Sequence, residues 1–547
     1  MMPDRAHSLG LSPARATWRG RAITDVVVLA GALALFALLA LQMMPFVPDD
    51  SFISYRYAAN LAGGHGLRFN PTDSPVEGYS NFLWIVLLAG AVRLGLDPVT
   101  TGAFFGGLLG LLSIIALWAI LKKCGRTGVH LAVPVGLLAL AAPLLLYAIS
   151  GMETALFAFL LLAGLWVAAD LLARPTMGRG LLLGAVGVLV ALTRPEGVLA
   201  LPITVVCLVV SEWRVSPVRR RDIGRAAGVA FLAFVVILAA YHLWRVAYFD
   251  AVWPTPFLSK GAAGGTSSFV KPLLTNLGQF FVRQTHYYAP MGYYYAALML
   301  GAVLGALLAR RRRHHRPVEW TALILALVYA AVYLNFVDWM PGMRYYAPLL
   351  GLIFIPFSLL GPELRDVGEH RDDWRSDLAF LLVGAALGIF SLSSLATLRL
   401  DSGQLQTSTQ ASMVELGRWL RETMPPDAVL AMSDVGATPY YSGLRTIDIN
   451  PDSLTDRTIA ENGWSADYFF ATDPDVVAIT AFSLTRPDFY GAHEALYVMP
   501  RFQATYWQVG VVRNDWYQER SYWVFVRRDM TLTPEQMITF PKGIYKP

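Results

Sequence analysis

Between residues 23 and 398 the apolar positions do not alternate with polar ones; they come in long runs, each closed by a short polar segment. The first run, 23–44, would reach roughly 33 Å as a helix at about 1.5 Å per residue, enough to cross a bilayer. Runs of similar character follow at 100–121, 130–149, 152–172, 180–194, 197–211, 226–248, 288–309, 319–336, 345–361 and 378–398, which makes eleven expected spans. The apolar stretch 82–96 is left out because it is short and holds Arg93, and it reads as a helix lying at the interface. Charge supports that omission. Arg5, Arg15, Arg19 and Arg21, then Lys122, Lys123 and Arg126, Arg174 and Arg179, and the arginines within 214–225 and 310–316 then share one side with the mixed-charge stretch 363–377. The positive-inside rule makes that side cytoplasmic.

After 398 the pattern changes to short helical and strand periods separated by turn residues, with a helix expected over 413–423 and a strand over 428–432. Three parts follow: a cytoplasmic N-terminal tail (1–22), a transmembrane domain (23–398) whose first outer loop is 45–99, and a soluble domain (399–547). An odd number of spans places that last domain outside, as a small α/β module.

The chain is 55% hydrophobic and 15% charged, which excludes an ordinary soluble enzyme. Its net charge of +5 belongs to loops at one face rather than to a nucleic-acid surface, and nucleic acid is not an expected partner. With Cys124 and Cys207 the only cysteines, neither a disulfide framework nor a cysteine zinc site can form. Only six of the 44 basic residues are lysine, so Lys260 and Lys271, together in one outer loop, stand out.

The threading gathers polar groups from five separate outer loops on the non-cytoplasmic side. They are Asp49, Asp50, Arg56, His65, Asn70, Glu77, Tyr79 and Asn81 in the first; Glu153; Arg194 and Glu196; Lys260; and Asp338, Trp339 and Arg344. Such a cluster above an apolar bundle suits a lipid-linked substrate, with the tail between helices and the head group at the interface. Ionisable groups at that depth are costly and mark function. Plain structural readings stand beside the functional ones. One aspartate could cap a helix starting at Ser51, Arg194 and Glu196 could pair with each other, and His65 could be a turn residue between two glycines. Glu153 could sit solvated in a turn, and Trp339 could be an interfacial anchor. A lysine suits a phosphate as a point charge, and Arg344 offers the bidentate alternative.

The first outer loop, D-D-S-F-I-S-Y-R-Y-A-A-N-L-A-G-G-H-G-L-R-F-N-P followed by V-E-G-Y-S-N-F-L-W, resembles the polytopic glycosyltransferases of the C-type fold. In pattern it is similar to bacterial relatives of the terminal β-(1→2)-arabinofuranosyltransferases. S-G-M-E-T (150–154), T-R-P-E-G (193–197), D-W-M-P-G-M-R-Y (338–345) and D-V-G-A-T-P-Y-Y-S-G (434–443) carry the resemblance along most of the chain. After Val76-Glu77 the arabinan enzymes carry Ala-Asn-Thr, whereas this chain reads Gly78-Tyr79-Ser80-Asn81. The resemblance implies a polyprenyl-phosphate sugar donor, a cell-envelope glycan acceptor, inversion at the anomeric carbon and a multi-pass protein of the bacterial inner membrane with a periplasmic active site. It also implies Asp49 at the catalytic-base position with Asp50 beside it, and Glu153 as a second acid. Adjacent acids could hold a divalent cation through their oxygens. No nucleotide-sugar fingerprint is present, in keeping with a lipid-linked donor. A lipid-linked-sugar transporter and a membrane-anchored scaffold are the competing readings.

Overall fold

The computed structural model describes residues 13–43, 46–213, 217–256, 291–311, 316–335, 340–360, 374–484, 488–489, 492–513 and 521–537. It is a multi-pass bundle of apolar helices carrying a small α/β domain at the C-terminal end. Helix α1 (Pro13–Met43) is followed by two short helices, α2 (Asp49–Ala62) and α3 (Phe82–Arg93), before α4 (Pro98–Lys123) runs back along α1. Asp97 starts α4 by accepting the Thr100 N–H at 2.9 Å, with Pro98 in the first turn. At 12 residues, α3 is too short to cross a bilayer.

Ion pairs fasten one end of the bundle. Lys122 at the end of α4 meets Asp25 near the start of the apolar part of α1. Lys123 and Arg179 share Asp170 at 2.8 and 2.5 Å, and Arg126 meets Glu319 at 3.1 Å. Lys122, Lys123, Arg126 and Arg179, four of the basic residues grouped by the charge argument, thus each meet an acidic partner at this end.

Among the described residues, fewer than the expected eleven segments qualify as spans. Among the described residues seven helices are long and apolar enough, or eight if the bent pair α5 (Val129–Ala139) and α6 (Ala142–Ala148) counts as one crossing. The shortfall has local causes. Proline at the start of α6 opens a 50° bend inside the stretch 130–149. Helix α7 (Thr154–Ala173) is long and apolar enough to cross, but α8 (Met177–Thr193) stops after 17 residues, where Arg194 turns extended before Pro195. Stretch 345–361 yields only a nine-residue helix, Leu349–Phe357, because turns occupy the residues before it. Helix α9 (Ala200–Glu212) follows, and α8 compensates by packing closely on α10 (Pro217–Phe249). Gly180 and Gly184 leave no room for a Cβ against the carbonyls of Ala226 and Ala230, the small-residue approach that drives helix association in lipid.

The last span belongs to a 35-residue helix, Trp374–Ser408, about 50 Å long by its rise, which extends beyond the apolar layer towards the outer domain. A π-turn (Thr409–Val414) leads into the helix Glu415–Thr423 and then into a sheet. Its strands are β1 (Val429–Met432), β2 (Arg445–Asp448), β3 (Val476–Ala481), β4 (Tyr506–Arg513) and β5 (Ser521–Arg527), in the order β2-β1-β3-β5-β4. β1 is parallel to both of its neighbours, while β5 runs antiparallel to β3 and β4. β3 is buried on both faces, as a continuous apolar run at the centre of a sheet should be.

Candidate active site

The first turn of α2 holds both aspartates. The helix begins at Asp49 rather than at Ser51, and Pro48 precedes it without any side-chain cap, so the capping reading of these carboxylates does not hold. Two negative charges in a first turn are favoured by the helix dipole. Their surroundings differ. Asp49 turns towards the outer domain, where its carboxylate accepts the N–H of Gly436 at 3.2 Å and of Ala437 at 2.6 Å. Withdrawal from water, reinforced by the carboxylates of Asp434 and Asp50, pushes its carboxyl up to about 7 despite those two bonds. Asp50 turns towards the bundle, is 34% exposed, and faces the Arg344 guanidinium at 3.5 Å.

Arg344 follows a strained turn. Gly342 and Met343 are both left-handed, with φ of +71° and +59°, and a buried methionine in that region is costly. Tyr147 donates to the Pro341 carbonyl and holds the turn in place. The guanidinium so aimed lies 3.4 and 3.6 Å from the sulfurs of Met340 and Met152, and 4.9 Å from the centre of the Tyr345 ring. Arg194 lies 5.0 Å from the same ring. Two guanidiniums flanking one aromatic ring make a cationic site, set beside the carboxylates of Asp50, Glu153 and Glu196.

S-G-M-E-T wraps around α2 residue by residue. Ser51 donates to the Ser150 carbonyl at 2.9 Å. Gly151 is left-handed (φ +72°), and the Tyr55 hydroxyl occupies the space where its Cβ would be. Met152 meets Arg344. Glu153 is buried and accepts from Asn81 at 3.0 Å and from Arg194 at 3.4 Å. Asn81 also donates to Ser54 at 3.0 Å. Arg194 binds Glu196 more tightly, at 2.7 Å, and Tyr333 donates to the same Glu196 oxygen at 2.8 Å. The structure thus brings together Asp50, Asn81, Glu153, Arg194, Glu196 and Arg344, drawn from four of the five predicted loops.

Other predicted residues sit elsewhere. Arg56 is buried against the outer domain, donating to the carbonyls of Phe69 (2.8 Å), Leu444 (2.7 Å) and Pro439 and to Asn70 (3.0 Å). Asn70 pairs with Thr446 of edge strand β2 through both halves of its amide, at 2.9 and 3.0 Å. Glu77 forms a buried pair with Arg245 of α10 at 2.6 Å. Tyr79 is buried edge-on to Tyr57. His65 is exposed in a turn between left-handed Gly64 and Gly66. Lys260, Lys271, Asp338 and Trp339 lie outside the described residues. Among the described residues no three His, Cys, Asp or Glu side chains are grouped to hold a metal ion.

Sequence reasoning did not single out Tyr333 or Tyr345, whose rings face the arginines, nor Met152 and Asp434, and it read Met340 with Trp339 as an interfacial anchor. Tyr345, Met340, Met152 and Asp434 all fall inside the motifs that carry the resemblance. Their roles depend on what faces them across the fold.

The fold itself is matched by solved membrane enzymes. ArnT from Cupriavidus metallidurans bound to undecaprenyl phosphate superposes with a TM-score of 0.54 at 16% identity, over 91% of this chain and 97% of that one. The archaeal oligosaccharyltransferase AglB from Archaeoglobus fulgidus, in complex with an inhibitory peptide and a dolichol-phosphate, gives 0.52 at 12% identity, over 92% and 70%. The fold is that of the C-type membrane glycosyltransferases. Residues 399–529 match a family described as "Domain of unknown function (DUF8728)". Comparison with curated proteins finds no match.

Proposed function

We propose that the protein is an inverting glycosyltransferase that moves a sugar from a polyprenyl-phosphate donor to a cell-envelope glycan. The observation that carries this reading is the Asp50–Arg344 pair, a partly exposed carboxylate and a guanidinium 3.5 Å apart at the mouth of an apolar bundle. A phosphate competes for Arg344 as a better, bidentate partner. Donor binding then draws Arg344 away from the Asp50 carboxylate at the moment a base is needed. Asp50 takes the acceptor hydroxyl proton, and the oxygen attacks the anomeric carbon from the face opposite the phosphate. The bond from that carbon to the phosphate oxygen breaks, and the electron pair stays on a polyprenyl phosphate held by Arg344. Glu153, fixed by Asn81 and Arg194, supplies negative charge to the oxocarbenium-like transition state. The family position for the base falls on Asp49; the geometry of the pair favours Asp50 for that step and leaves Asp49 a different task.

The lipid-phosphate ligands in the ArnT and AglB structures support a donor of this class. The resemblance of the first outer loop favours arabinofuranose as the sugar. The site lies at the end of the bundle away from the Lys122–Arg126 cluster, which by the positive-inside rule supports a periplasmic position, and the resemblance favours a bacterial inner membrane. Lys260 remains a further phosphate contact to test. Mass spectrometry of lipids copurifying with the protein tests the donor class. Polyprenyl phosphate, free or sugar-linked, is expected from wild type and is depleted from Arg344→Ala. Bulk phospholipid alone in both samples would contradict the reading.

A further inference from the structure

Asp49 is the one first-turn carboxylate that the proposed chemistry does not use, and its place in the outer sheet is specific. The chain leaves β1 to form β2 on one side and returns to form β3 on the other, with all three strands parallel. The carboxyl end of β1 is therefore a topological switch point, where open α/β sheets leave a crevice for a ligand. Gly436 and Ala437 lie in the segment that leaves that end, just beyond Ser433, Asp434 and Val435, and their N–H groups bind the Asp49 carboxylate, so a side chain of this same protein fills the crevice.

The fit is close. A Cβ at Gly436 would overlap the main-chain oxygen and the carboxylate of Asp49. The rest of the segment is fixed on both sides. Thr438 donates to the Met413 carbonyl at 2.9 Å, Pro439 accepts from Arg56, and the Tyr440 and Tyr441 rings each lie 5.6 Å from Phe52. Asp434, at the near end, is held by the Tyr522 hydroxyl at 2.6 Å and by Thr480 at 3.4 Å.

We propose that Asp49 is a positioning residue: it docks in the switch-point crevice of the outer sheet and fixes segment 434–443 and the first turn of α2 against each other, so that Asp50 points at the acceptor. The inference rests on the proposed transferase reading for its kinetic part and on geometry alone for its docking part. It departs from the role that the resemblance assigns to Asp49.

The test uses full-length protein in nanodiscs, with Asp49→Asn, Asp49→Ala, Gly436→Ala and Asp50→Asn. Hydrogen exchange reads the docking without any turnover. The amides of 436 and 437 are expected to exchange faster in Asp49→Ala than in wild type, with the core of β3 unchanged. Unchanged exchange at those amides would overturn the docking. Kinetics reads the positioning. Asn keeps an oxygen that can accept one N–H, so Asp49→Asn is expected to retain clearly more turnover than Asp49→Ala. Gly436→Ala should resemble Asp49→Ala, with kcat down by about ten- to a hundredfold and donor KM unchanged, because misplacement acts on the chemical step. If Asp49 is the base instead, Asn and Ala at 49 abolish transfer equally while Asp50→Asn retains it, and the positioning role is overturned. If no variant or wild type transfers sugar, the transferase reading fails, and the exchange result still decides the docking.

Discussion

Two clusters of polar side chains flank α2, and they differ in how tightly their bonds are closed. On the outer-domain side, Arg56, Asn70 and Asp73 reach main-chain or charged partners at 2.7–3.0 Å, and Arg56 also donates to the Pro439 carbonyl. On the bundle side, Arg344 and Arg194 meet Asp50 and Glu153 at 3.5 and 3.4 Å, Arg344 also meets the Met340 and Met152 sulfurs and the Tyr345 ring and hydroxyl, and Arg194 keeps its short bond to Glu196 at 2.7 Å. Long contacts to weak acceptors give up little when a better partner arrives, whereas short bonds to buried carbonyls are expensive to open. The first cluster is built to stay, and in the second it is the long Arg344–Asp50 contact that is suited to exchange. A sequence dense in polar residues does not say which is which; the partners do.

Changes in the exchanging cluster should strike activity and spare the fold. The largest effect is expected from Asp50→Asn, which keeps the size of the side chain and removes the base. Transfer should fall by roughly two to four orders of magnitude with yield and Tm held. Initial rates beside thermal melts check this, and an equal loss of folded protein would move Asp50 into the other cluster.

Changes in the fixed cluster and the bonds next to it should do the reverse. Arg245→Ala strands the buried Glu77 carboxylate and should cost about 3 kcal/mol of stability while leaving donor KM alone, as denaturant or thermal unfolding would report. Arg344→Ala returns to the exchanging side. It should raise donor KM by roughly ten- to a hundredfold, the worth of a charge-assisted contact, with partial recovery in Arg344→Lys. Asn70→Ala leaves two main-chain groups of the β2 edge without their partner and should lower stability by about 1–2 kcal/mol, again without a kinetic signature.

The smallest effect is a pH slope within the outer domain. Asp448 is buried, and burial pushes its carboxyl up to about 6 even though it accepts from the N–H of Asn450, Leu454 and Thr455. A carboxyl raised above its ordinary value favours the protonated folded state. Its contribution is full below about pH 4 and is lost as pH rises through about 6. The Tm of the outer domain should therefore fall by a few degrees across that window, and Asp448→Asn should flatten the slope. A Tm that rises across the window in wild type would contradict the assignment.

Much of the bundle was legible because lipid demands long apolar runs, and because Lys122, Lys123, Arg126 and Arg179 had to reach one end. The run at 345–361 misled because hydropathy does not register that Gly342 and Met343 turn the backbone left-handed just before it. The outer sheet was legible at β1, where an apolar strand follows turn residues, and its order was not, since strand pairing is nonlocal. In the site, Asp50, Glu153, Arg194 and Arg344 were visible as charges out of place near a membrane. Arg56, Asn70 and Glu77 looked the same on that ground, and only the carbonyls and the Arg245 guanidinium opposite them reveal a structural task. Asp434 was passed over because its neighbour is Asp49, 385 positions away along the chain.

The most direct test is the anomeric configuration of the product. Purified protein is incubated with a synthetic α-linked polyprenyl-phosphate sugar and a glycan acceptor, and the product is characterised by mass and by NMR of the new glycosidic bond. A single displacement assisted by one carboxylate base predicts a product heavier than the acceptor by one sugar residue, joined with inverted, β configuration. A retained α linkage, or donor consumed without any new glycosidic bond, would contradict the account.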